Sequence, residues 1–279
     1  MFLLPFISGA LAILSPFFGI MAMMLFCAKA LGPAIVSPQR AISAFFVIPL
    51  LVMLFDGGNP QTPLMVMDAI LGVGAVAYIF LIVLRKTQYL NQAFLAAALV
   101  IMLYSVLRML LFGSVLDQIY NEGISAMQAQ MPSLLDGQYM ELSARLWKYL
   151  QPAFWGVGQI SALLISYLIF HKAIKIPLKT SDMKFPLVYN FLILAILPLY
   201  FVEAGRAVFI NAMILLCTIP LIQGSFSVLG GLAKVFENKF IRGVIMFFLV
   251  IYAFIPLTLF GFADLWMSHS NKPRGGKTA

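Results

Sequence analysis

The feature that most constrains this chain is the recurrence of apolar stretches close to the length of a bilayer-crossing helix. A helix rises 1.5 Å per residue and the hydrocarbon core is about 30 Å thick, so a span needs about 20 apolar residues. Eight stretches reach or approach that length: 3–26, 41–55, 63–84, 91–112, 152–170, 185–201, 207–221 and 244–262. The remaining residues are too few and too apolar for a soluble body. The chain is 62% hydrophobic and only 10% charged, against about 25% charged in ordinary soluble domains. Lipid is therefore its solvent. The expected fold is all-α: a polytopic helical membrane protein with about eight transmembrane helices, one domain over 1–266 and a polar, disordered tail over 267–279. The first run has neither a basic leader nor a small-residue cleavage pattern after it, so it reads as a retained span.

The net charge of +8 arises in the connections between apolar runs. With the N-terminus outside, one set of connections holds Lys29, Arg40, Arg85, Lys86, Lys172, Lys175, Lys179, Lys184, Lys234, Lys239 and Arg242. The opposite set holds Asp56, Asp117, Glu122, Asp136, Glu141 and Glu203, with few bases apart from the tail. Basic connections resist translocation, so the first set is assigned to the cytoplasm. No basic stripe with interleaved aromatics occurs, which argues against a nucleic-acid partner.

The longest connection, 114–151, is itself amphipathic. Leu116, Tyr120, Ile124, Met127 and Met131 recur at helical spacing, and Tyr139, Leu142, Leu146 and Leu150 repeat the pattern beyond Pro132 and Gly137. This predicts an extracytoplasmic amphipathic segment between spans 4 and 5. It would be two interfacial helices or a helical hairpin, with Trp147 as an interfacial anchor.

Catalytic constellations are missing from the sequence, so an enzyme, a metal site and a bound cofactor are not expected. His171 and His269 lack partners at metal-ligand spacing, and neither a phosphate-binding loop nor a nucleophile elbow occurs. Cys27 and Cys217 read as small buried hydrophobes. Gly72 and Gly74 form a lone G-x-G inside an apolar run, which reads as a packing notch. Ser8/Ala12 and Ser15/Gly19 are small-residue pairs that would let another helix, including one from a partner membrane protein, approach closely.

The informative residues are charges inside or beside spans. Asp68 and Arg108 lie at similar depth in consecutive runs of opposite direction, and an intramembrane charge requires a partner. Glu203 and Arg206 sit three residues apart in a tight connection, and Asn211 follows inside the next run. These five are the candidate ligand-binding residues, with Gln159, Asn190 and Gln223 as further polar groups. They read as structural ties, as an outward-opening polar pocket for a small, charged solute, or as a proton path.

From 175 to 266 the chain carries a motif pattern. Lys175-Ile176-Pro177 and Met183-Lys184-Phe185-Pro186 precede the sixth run, Gln223-Gly224 ends the seventh, and Gly261-Phe262-Ala263-Asp264-Leu265-Trp266 follows a span containing Pro256. This pattern resembles the YybS-like family of bacterial polytopic membrane proteins, which is in turn distantly similar to the substrate-binding components of energy-coupling-factor vitamin transporters. The resemblance implies a bacterial cytoplasmic (inner) membrane and a small-solute binding or transport role. A non-transporting scaffold or assembly factor that binds partner proteins stays open as the other reading.

Overall fold

The computed structural model describes residues 3–30, 38–130, 138–175 and 183–270. Every regular element among them is helical. The chain forms two compact units, 1–88 with 96–176 and 89–95 with 177–279.

In the first unit, the first apolar run does not continue straight. It breaks into α1 (Leu3–Leu14) and α2 (Pro16–Ala30) at Ser15. Pro16 lacks an N–H, and its ring clashes with the carbonyl four residues earlier, so the helix ends before it. The two helices fold onto each other, and a Cβ on Gly19 would lie 2.6 Å from the Ala12 backbone. At 12 and 15 residues, α1 and α2 are about 18 and 22 Å long, each too short to cross alone. Helix α3 (Pro38–Leu54) contains Pro49, which leaves the Phe45 carbonyl without its intrahelical donor. Gly9 of α1 packs directly over that carbonyl. The small residues Ser8, Gly9, Ala12 and Gly19 are thus engaged within the unit.

The third run is a continuous helical span, Thr62–Thr87. It comprises α4 (Thr62–Ala69), a π-helical turn at Ile70–Ala75 and α5 (Val76–Thr87). Gly72 and Gly74 lie in the π turn and receive the rings of Trp155 and of Phe45 and Phe46, so the G-x-G is a packing notch. Helix α6 (Leu90–Gln130) crosses the division between units and runs far past the expected end of the fourth run, with a kink at Phe112. Helix α7 (Gln138–Ala173) likewise begins well before Pro152. The connection 114–151 is therefore helical as expected, but it consists of extensions of the spans and not separate interfacial helices. Lys148 and Asp117 join the extensions at 3.0 Å. Its break, including Met131, Pro132, Asp136 and Gly137, lies outside the described residues, as do Lys179 and 271–279 of the tail. Residues 267–270, expected in that tail, belong to a helix.

Within this unit, α4–α5 runs parallel to α7 and α6 runs opposite to both. Gly72 meets Trp155 and Phe80 meets Phe170, while Asp117 pairs with Lys148 and Tyr104 with Trp155. Arg85, Lys86 and Lys172 consequently share one end of the unit, and Asp117 and Glu122 lie at the other, where Gln61 reaches Glu122. The expected grouping of Arg85, Lys86 and Lys172 apart from Asp117 and Glu122 is thus present within this unit.

The second unit contains α8 (Tyr189–Ile196), continued by a 3-10 turn at Leu197–Phe201, then α9 (Arg206–Val235), α10 (Lys239–Tyr252) and α11 (Phe254–Ser270). The seventh run is thus longer than its apolar stretch indicates. Helices α9 and α11 touch through Gly224 and Gly261: a Cβ on Gly224 would strike the Leu257 carbonyl, and one on Gly261 the Pro220 carbonyl. Pro220 also frees the Leu216 carbonyl within α9, and Tyr189 donates its hydroxyl to that oxygen at 2.7 Å. The eighth run is bent by 100° between α10 and α11.

By length and apolarity, four described helices can cross a membrane: Thr62–Thr87, Leu90–Met127, Ala144–Ala173 and Arg206–Val235. The bent pair α10–α11 raises the number to five if it is one span. The all-α membrane class stands. The sequence-based number of eight is not reached, because the first, second and sixth runs form helices of 10–17 residues.

Candidate functional site

The centre of the first unit is a buried charge cluster at the junction of α4 and the π turn. Asp68 and Arg108 are 6% and 7% exposed. Arg108 meets the carboxylate side-on, donating from Nε to Oδ1 at 2.8 Å and from Nη2 to Oδ2 at 3.0 Å. Tyr104, one turn before Arg108 on the same face of α6, donates its hydroxyl to Oδ1 at 2.7 Å. The Arg108 guanidinium lies 5.1 Å from the centre of the Trp155 ring, which also meets Tyr104 edge-on at 5.4 Å. Gly72 makes room for that indole, since a Cβ there would stand 3.1 Å from its edge. The expected pairing of Asp68 with Arg108 is thus present, and two aromatic residues that the sequence did not single out complete it. Tyr104 was in principle legible from its spacing to Arg108. Trp155 was not, because only the packing of α7 on the π turn brings it there.

Above the cluster a cleft of about 350 Å³ opens between α6 and α7. Its wall includes Arg108, Leu116, Tyr120, Trp147, Phe154 and Trp155, with the Gln151 amide adding polarity. Trp147 and Phe154 stack at 4.5 Å. Two of the lining residues each carry a buried polar atom, Arg108 Nη1 and the Tyr120 hydroxyl, that meets no hydrogen-bond partner among the described residues. With its Nε and Nη2 edge committed to Asp68, the guanidinium turns Nη1 away from the carboxylate.

Comparisons with protein-family models, curated proteins and solved structures find no match for this chain.

The other candidate residues belong to the second unit. Glu203 lies in a short 3-10 turn and Arg206 opens α9; both are exposed, and no ion pair joins them among the described residues. Asn211 is buried and donates to the Ala207 carbonyl one turn back at 2.9 Å. Gln223 is a structural tie: its amide accepts from the Phe185 N–H at 3.0 Å and donates to Asp264 at 2.8 Å, and Ser227 donates to the same carboxylate oxygen at 3.0 Å. Gln159 and Asn190 are buried, with side-chain atoms that find no partner among the described residues. Cys27 and Cys217 are free thiols, one in each unit.

Proposed function

We propose that this protein binds or transports a small solute in a bacterial cytoplasmic membrane, the role implied by its resemblance to the YybS-like family. The observation that carries the reading is the cleft between α6 and α7, where Arg108 Nη1 and the Tyr120 hydroxyl are buried without partners among the described residues. Buried polar groups are nearly always hydrogen-bonded, and those that are not call for an explanation. A concave, mostly apolar pocket with a few convergent polar groups is the usual form of a small-molecule site. Its volume falls within the range of such sites.

The test is a thermal-shift screen of the protein in lipid nanodiscs against vitamins, nucleobases and metal ions. A ligand at 100 times its Kd stabilises the bound state by about 2.7 kcal/mol. The expected result is a raised Tm with at least one compound. Leu116→Trp, which fills the cleft wall, should abolish that shift. A screen with no stabilising compound, or a shift that Leu116→Trp leaves intact, would overturn the reading.

A further inference from the structure

We infer that the ligand of this cleft is an uncharged, largely apolar molecule presenting a carbonyl-type hydrogen-bond acceptor to Arg108. The inference rests on the cleft being a solute site and specifies its chemistry.

Charge balance is the first argument. The positive charge of Arg108 is met by Asp68 in a two-point ion pair, and that of Lys148 at the neighbouring turn of α7 by Asp117. Among the described residues the remaining polar lining, Tyr120 and Gln151, is neutral. An anion entering the cleft would therefore lose its hydration without meeting a net positive charge. A cation fares no better. Both oxygens of Asp68 are already engaged by Tyr104 and Arg108, and no carboxylate lines the cleft among the described residues.

Donor inventory is the second argument. A guanidinium donates five N–H bonds and accepts none. Arg108 Nη1 thus offers donors only, and its natural complement is an oxygen or nitrogen lone pair. The third argument is shape. Four rings (Tyr120, Trp147, Phe154 and Trp155) with Leu116 and Ile119 make up most of the wall. Ile119, Trp147 and Phe154 of this wall are partly exposed, so apolar surface is accessible at the cleft. Planar or hydrocarbon surface packs against such a wall.

Neutral 4-butylbenzophenone, an aromatic ketone that labels nearby C–H bonds on irradiation, serves as the probe. It is applied to the full chain in nanodiscs, and labelled peptides are mapped by mass spectrometry. Saturable labelling is expected within 114–125 and 144–158, lowered at least tenfold by Leu116→Trp. As competitors, unlabelled ketone should outperform the hydrocarbon 4-butyldiphenylmethane, which has the same outline and no carbonyl, by at least tenfold. It should also outperform benzophenone-4-carboxylate. Equal competition by the hydrocarbon would overturn the acceptor, and tighter competition by the carboxylate would overturn the neutral head. Either result would leave the cleft as a solute site. Absence of saturable labelling in both segments while another compound still raises the Tm would overturn the uncharged ligand and leave the solute site, whereas a flat thermal-shift screen would overturn the solute site itself.

Discussion

Breaking the Asp68–Arg108 pair from either side should cost far more than a neutral hydrogen bond between membrane helices, and removing both partners should recover much of that cost. The carboxylate accepts three hydrogen bonds, from Tyr104, Arg108 Nε and Arg108 Nη2, all buried. Removing one partner of a buried ion pair costs about 3–5 kcal/mol, because the other charge stays buried and uncompensated. Hydrogen bonds between membrane helices average only about 0.6 kcal/mol in double-mutant cycles. The double variant Asp68→Ala/Arg108→Ala loses both charges together and leaves the Tyr104 hydroxyl unpaired, a cost of about 1–3 kcal/mol. The sum of the single losses should therefore exceed the double loss by at least about 2 kcal/mol. The singles should also be unequal. A lone carboxyl can be neutralised by a proton while a guanidinium cannot, so Asp68→Ala, which strands Arg108, should be the worse. The assay is SDS-induced unfolding of the four proteins from lipid bicelles, followed by tryptophan fluorescence. Losses that add within about 0.5 kcal/mol, the tolerance for independent sites, would refute the coupling. So would a gap no larger than that of a neutral hydrogen bond.

Three other outcomes are expected. Gly261→Ala puts a methyl group against the Pro220 carbonyl, which cannot move aside as a side chain could, and should destabilise the second unit by about 1–3 kcal/mol; an unchanged Tm would contradict the close crossing of α9 and α11. Tyr189→Phe strands the Leu216 carbonyl that Pro220 frees and should cost about 1–3 kcal/mol, whereas in a Pro220→Ala background the same change should cost much less, because the helix regains an N–H for that carbonyl; equal losses in both backgrounds, read by thermal melting, would show that the hydroxyl serves another purpose. Single cysteines at Lys86 and Lys172, in a background lacking Cys27 and Cys217, should react with an impermeant maleimide from one side of the membrane and a cysteine at Asn121 from the other; labelling of all three from one side would overturn the arrangement of α5, α6 and α7.

What the sequence determined by itself was the solvent, the all-helical class and one tertiary contact. Apolar composition with few charges demands lipid, and lipid demands that backbone groups be satisfied within helices, so the all-α class followed without knowledge of packing. Helical spacing from Leu116 to Met127 and from Leu142 to Leu150 was equally local, and both stretches are helical. Asp68 and Arg108 could be paired because two intramembrane charges of opposite sign, at matching depth in consecutive antiparallel runs, have few other ways to avoid isolation. Only the tertiary structure decided the rest. Hydropathy averaged along a run is blind to direction, so 24 apolar residues read alike whether they continue straight or fold back at Ser15, and the 100° bend between α10 and α11 was hidden in the same way. The π turn at Ile70–Ala75 carries no periodic signature of its own. It depends on Gly72 and Gly74 admitting rings from segments far away in the chain, and one of those rings is Trp155. Both the partner of the Arg108 face and the cleft above it thus come from contacts between helices whose residues lie 27 or more positions apart, and no local pattern encodes which faces will meet.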